Sequence, residues 1–112
     1  MPQITRYSRS YALCIEALQT LCCTAGDIRA RLRLLDPEFL MLRDEDFPGT
    51  TDIRTNFIEL QKLLTRFDPR GDEGRIAVTI SRSKASTLEQ AAQKVWELHR
   101  ESSYYMNHNN SS

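Results

Sequence analysis

At 112 residues the chain has the length of one domain, and a domain of that size hides about two-thirds of the surface its unfolded chain exposes. Acidic and basic side chains balance at fifteen each, which excludes a global field drawing the protein to nucleic acid or to an anionic membrane. Hydrophobic residues make up 40% and charged residues 27%, proportions that exclude a disordered polyampholyte, and no stretch reaches the roughly 18 to 20 apolar residues a membrane span needs.

The pattern divides the chain into an N-terminal arm over residues 1–7, one helical domain over 8–106 and a polar tail over 107–112, expected to be disordered. The first helix should run from about residue 8 to 24. Tyr11, Cys14, Ile15, Leu18, Leu21, Cys22 and Ala25 recur at steps of three and four, which places them on one face. Ser8 or Ser10 is expected to cap its start, and Gly26 to close its end. Arg6 and Arg9 precede this apolar run as in a signal peptide, but Glu16 interrupts it, so secretion is not expected.

The second helix should begin after Asp27, a good N-cap residue. Ile28, Leu32, Leu35, Phe39 and Leu42 keep one phase across Pro37. Proline in an unbroken helix interior costs about 3 kcal/mol, so a kink or restart is expected near residue 36, with Asp36 as cap and Pro37 in first position. Residues 43–51 read as a turn, with Pro48-Gly49 suited to a type II geometry and Phe47 pinning the loop to the core. The third helix should start at Thr51 or Asp52 and bury Ile53, Phe57, Leu60, Leu64 and Phe67.

Residues 68–75 form a second loop. Its Arg70-Gly71-Asp72 is read as a turn, because three residues match an integrin-type motif by chance too often to carry weight. Over 76–83 the alternation of Ile76, Val78 and Ile80 reads as a strand, yet no second convincing strand is present to pair with it, so a short helix is expected, with a strand paired across a dimer as the runner-up. Ser86-Thr87-Leu88-Glu89 has the form of a capping box. Leu88, Ala91, Ala92, Val95, Trp96, Leu98 and His99 follow it on a last helix expected to end between residues 102 and 106. The fold class is therefore all-α, a small antiparallel bundle of four main helices plus one short extra helix.

The chemistry-bearing residues are few. Cys14, Cys22 and Cys23 make no C-x-x-C pair and are odd in number, which disfavours both a disulfide framework and a zinc site. They are expected to be reduced, buried and inert in a cytoplasmic protein. Asp44-Glu45-Asp46 lacks the alternate spacing and distal glutamate of a calcium loop and reads as solvated. His99 has no nucleophile or orienting carboxylate at a telling spacing, and no phosphate loop or nucleophile elbow occurs. No enzyme activity, metal, cofactor, small molecule or membrane partner is expected.

Two contact surfaces are candidates. Trp96, His99, Tyr104 and Tyr105 gather aromatic area near the C-terminal end, as at protein contact patches. They point to a binding or regulatory module that acts through protein contacts, with itself or another protein as partner. The alternative is a helix-turn-helix that presents Arg29, Arg31 and Arg33 to a major groove. Against it stand the zero net charge and the acids Asp36 and Glu38 that follow at once. Twelve of the fifteen basic residues are arginine, but they are scattered among acids, which fits codon usage better than a phosphate surface.

Overall fold

Steps of three and four along the last third of the chain set the architecture. Leu88, Ala91, Val95, Leu98, Ser102 and Met106 are all buried, and they form one continuous stripe on a 25-residue helix. The computed structural model describes residues 7–48, 52–71 and 73–109. Its helices are α1 (Ser8–Cys23), α2 (Ile28–Arg33), α3 (Pro37–Leu40), α4 (Asp52–Leu64), α5 (Arg75–Arg82) and α6 (Ala85–Asn109), with one 3₁₀ turn at Asp44–Asp46. The fold is an all-α bundle. Among the described residues there is no strand, and an isolated bridge between Arg70 and Glu73 closes the loop before α5.

The helix α6 is the common support. It packs most extensively against α4, then against α1 and α2. From α4 come Ile53, Phe57, Leu60 and Leu64, each nearly inaccessible to water. Phe67 lies beyond the end of α4 and is half-buried, with the Arg82 guanidinium 5.2 Å from its ring centre. Phe47 pins its loop as expected, with its ring centre 4.5 Å from that of Phe57.

The second helix is two pieces, as the proline requires. Asp27 caps α2 by accepting from Ala30 N at 2.9 Å. Asp36 caps α3 by accepting from Glu38 N at 2.8 Å, with Pro37 in first position. Gly26 takes φ +113° between α1 and α2, a conformation that L side chains rarely adopt, and a Cβ there would lie 3.1 Å from Ala30 Cβ. Residues 75–82 are helical, not extended: α5 buries Val78, Thr79 and Ile80.

Several expectations are corrected. The buried face of α1 is Ser10, Leu13, Cys14, Ala17 and Leu21, so the core looks at a different part of the helix from the face centred on Tyr11, Ile15 and Leu18. Ala25 and Cys22 are exposed. Neither Ser8 nor Ser10 is the N-cap, which falls on Tyr7. Ser10 Oγ lies one turn further in, 2.9 Å from Tyr7 O and 2.8 Å from Asp46 O, where its one hydroxyl proton is shared between two carbonyls. The Ser86 capping box does not form, because the first backbone bond of α6 closes from Leu88 N onto Lys84 O, which makes Lys84 the cap position. The helix α6 also outruns its expected end and includes residues 107–109 of the presumed tail. The reason is the buried pair Ser102 and Met106, which carries the apolar stripe past the aromatic residues to the start of α1. Residues 1–6 of the arm, Gly49 of the Pro48-Gly49 turn, Thr51, Asp72 and the tail residues 110–112 lie outside the described residues.

Leu60, 2% exposed, tests the phase of α4. Leu60→Ala should lower stability by about 2 to 5 kcal/mol, as for other core truncations, measured by urea denaturation. A loss in the surface range of about half a kcal/mol or less would place Leu60 outside the core.

Candidate functional site

The misplaced face of α1 locates the site. Tyr11, Ile15, Leu18 and Cys22 fall at steps of three and four beside the buried face, so α1 is apolar over an arc wider than the core covers. Tyr11, Ile15 and Leu18 remain half-buried. Near the C-terminal end of α1 this flank meets α2 and α6 and leaves an open groove of about 400 Å³, within the size range of ligand sites. Leu18, Leu21, Ile28 and Ala92 form its apolar walls. Cys22, Arg31, Glu89, Gln93 and Trp96 complete it.

The helix α2 is held at this place by its arginines. Arg31 Nη1 donates to Leu21 O at 3.0 Å, which caps the last turn of α1. Arg29 donates to Ile80 O at 3.1 Å and to Ser83 O at 2.9 Å, where a guanidinium meets the exposed carbonyls and negative dipole end of α5. Arg33 Nη2 donates to Ser81 Oγ at 3.0 Å. The three arginines that suggested a nucleic-acid surface are thus engaged within the chain, on a helix of six residues.

The aromatic candidates divide into two sets. Trp96 and Tyr104 are exposed, at 44% and 65%, and lie eight residues apart, about 80° from each other around α6. Arg100 sits between them in sequence, with its guanidinium 5.0 Å from the Trp96 ring centre. His99 and Tyr105 turn toward α1. The His99 ring stacks on Tyr11 at 6.4 Å between centres, and Tyr105 meets Tyr7 edge-on at 5.9 Å. Of the four, Trp96 lines the groove. Sequence reasoning missed Leu18, Ile28, Glu89 and Ala92 as lining residues. The available signal was the excess width of the apolar arc on α1.

The cysteines also divide. Cys14 is fully buried. Burial pushes its thiol up from the ordinary 9.0 to about 12, against an opposing hydrogen bond with Ser102. Cys22 and Cys23 are exposed, which corrects the expectation that all three are buried and inert. Helix α1 ends at Cys23, so both lie in its last turn.

Two clusters of charge have structural geometry. Lys94 Nζ lies 2.6 Å from Glu59 Oε1 and 3.5 Å from Glu97 Oε1. The hydrogen bond and charge of Lys94 hold the Glu59 carboxyl below the usual carboxylate range, and the hydrogen bond that Glu59 accepts raises Lys94. Both therefore keep their charges at neutral pH. With the Asn56–Glu101 hydrogen bond they brace α4 against α6. In the 3₁₀ turn, Asp46 Oδ2 accepts from Arg43 N at 2.8 Å and Glu45 lies 3.6 Å from Arg43. Among the described residues no three His, Cys, Asp or Glu side chains converge as a metal site would require, and no helix is long and apolar enough to cross a membrane.

Arg29→Ala should cost about 1.5 to 3 kcal/mol of stability, the range for hydrogen bonds to a charged group, read by thermal and urea denaturation. An effect within about half a kcal/mol, typical of surface changes, would free Arg29 for another role. Cys22 and Cys23 should react with a maleimide in the folded protein, and Cys14 only on unfolding. Because the raised thiol pKa belongs to the folded state, the Cys14 contribution is complete below pH 9.0 and fades as pH rises toward about 12. Stability measured across that window should fall less steeply in Cys14→Ala than in the parent. Compared with protein-family models, curated proteins and solved structures, the chain matches none.

Proposed function

We propose that this chain is a non-catalytic binding or regulatory module that works by protein contact through the α1–α2–α6 groove. The observation that carries this reading is Trp96, the one tryptophan of the chain, standing 44% exposed on the wall of an apolar groove. A tryptophan side chain that close to a concave apolar surface is the usual anchor of a contact patch, because it buries about 150 to 250 Å² while keeping a polar N–H. The compartment proposed is the cytoplasm, where the unpaired cysteines stay reduced.

The alternative, DNA binding through Arg29, Arg31 and Arg33, requires those side chains to leave carbonyl and hydroxyl partners they already hold. That competition favours the protein-contact reading.

Affinity capture from native lysate tests it, with the parent chain beside Trp96→Ala and Leu18→Glu. Both substitutions alter the groove and leave the fully buried core in place. The parent should retain a stoichiometric protein, self included, and each variant should lose most of it. The absence of any such partner, or capture indifferent to both substitutions, overturns the reading.

A further inference from the structure

We infer that the occupant of the groove is the same face of a second copy of this chain, docked about a two-fold axis so that each Trp96 enters the other copy's groove. The inference rests on the protein-contact reading and names its partner.

A two-fold interface requires a surface complementary to itself, in which residue i meets residue j and j meets i. The groove has that property in shape. A projecting indole and the recess that suits it lie side by side, with Leu18, Ile28 and Ala92 as the apolar walls of the recess. A rotated copy satisfies both at once.

The groove is also self-complementary in charge. It carries one cation, Arg31, and one anion, Glu89. Among the described residues Glu89 has no ion pair and Arg31 no carboxylate. Arg31 spends Nη1 on Leu21 O and its Nε is enclosed within the fold, which leaves Nη2 as its remaining donor nitrogen. A two-fold operation brings Glu89 of each copy to Arg31 of the other and makes two reciprocal pairs from one of each sign. The zero net charge removes long-range repulsion between identical chains.

Sedimentation velocity of the full chain over a range of concentrations is the test, with Trp96→Ala and Glu89→Arg as variants. Both positions are exposed, and circular dichroism confirms that each variant is folded. The parent should sediment as a dimer. Each variant should dissociate at least about tenfold more readily, as expected for loss of a hot-spot aromatic or of a desolvated charge pair. In a Cys23→Ser background, Cys22 of the dimer should react more slowly with a maleimide than Cys22 of the dissociated Glu89→Arg variant, because the second copy covers it. A parent dimer indifferent to both substitutions overturns the groove as its interface. A parent monomeric at high micromolar concentration overturns self-association. In that case lysate capture sensitive to Trp96→Ala would preserve the protein-contact reading with a different partner, and failed capture would overturn both.

Discussion

Everything in this fold leans on one stripe of α6. Leu88, Val95 and Leu98 are wholly inaccessible to water and Ala91 nearly so, and α1, α2 and α4 all pack against this helix. At about 1.5 Å of rise per residue, 25 residues span about 37 Å, longer than any other helix here. The remaining helices are arranged along it. At one end, Ser102 and Met106 hold the start of α1; at the other, Leu88 closes against the short helices. Small side chains matter as much as large ones. Ala91 on α6 and Ala17 on α1 are almost fully covered, and a larger residue at either would force the helices apart.

A support of that length has a geometric consequence. Helices crossing one long helix cannot follow its surface everywhere, and α1 is apolar over more of its circumference than the crossing hides. What the core leaves over is the flank Tyr11, Ile15, Leu18 and Cys22. Toward its N-terminal part this flank is covered by side chains of α6, through the Tyr11–His99 stack and the Ser103–Tyr11 hydrogen bond of 3.2 Å. Toward its C-terminal part the cover stops, and Leu18 and Cys22 face the groove. The candidate site is therefore a product of the packing itself, an apolar surface that the bundle makes and does not fill.

Local rules were legible in the sequence and distant ones were not. Asp27 and Asp36-Pro37 act over two or three residues, and both caps form as their spacing implies. Ile53, Phe57, Leu60 and Leu64 announce one face by their steps of three and four, and all four are buried. The first helix misled because its apolar arc is broad, so periodicity gave no unique centre, and burial of Leu13 and Ala17 rather than Tyr11 and Ile15 was decided by the neighbours. Residues 76–80 satisfy the periods of both strand and helix, and only the burial of Val78, Thr79 and Ile80 resolves them. Ser86 had the right chemistry for a cap, but α6 begins at Ala85 and a cap residue must stand outside the helix it caps.

The arginines show the same limit from the side of function. Read along the chain, Arg29, Arg31 and Arg33 are three cations on one short segment, and that spacing suits a polyanion as well as anything else. Read in space, each addresses a different acceptor: Ser83 lies 54 residues from Arg29, Ser81 lies 48 from Arg33, and Leu21 lies ten before Arg31. Arg31 and Arg29 meet carbonyls at the ends of α1 and α5, and Arg33 meets the Ser81 hydroxyl. A helix of six residues has too few internal bonds to hold its own position. Its guanidinium groups fix it by tying it to two other helix ends, and the same ties set Ile28 and Arg31 on the groove wall opposite Trp96. Arginine suits this work because its planar fork gives several donors to adjacent acceptors and keeps its charge when partly buried. The electrostatics that build the scaffold are thus the electrostatics that shape the site, and a substitution at Arg31 acts on both.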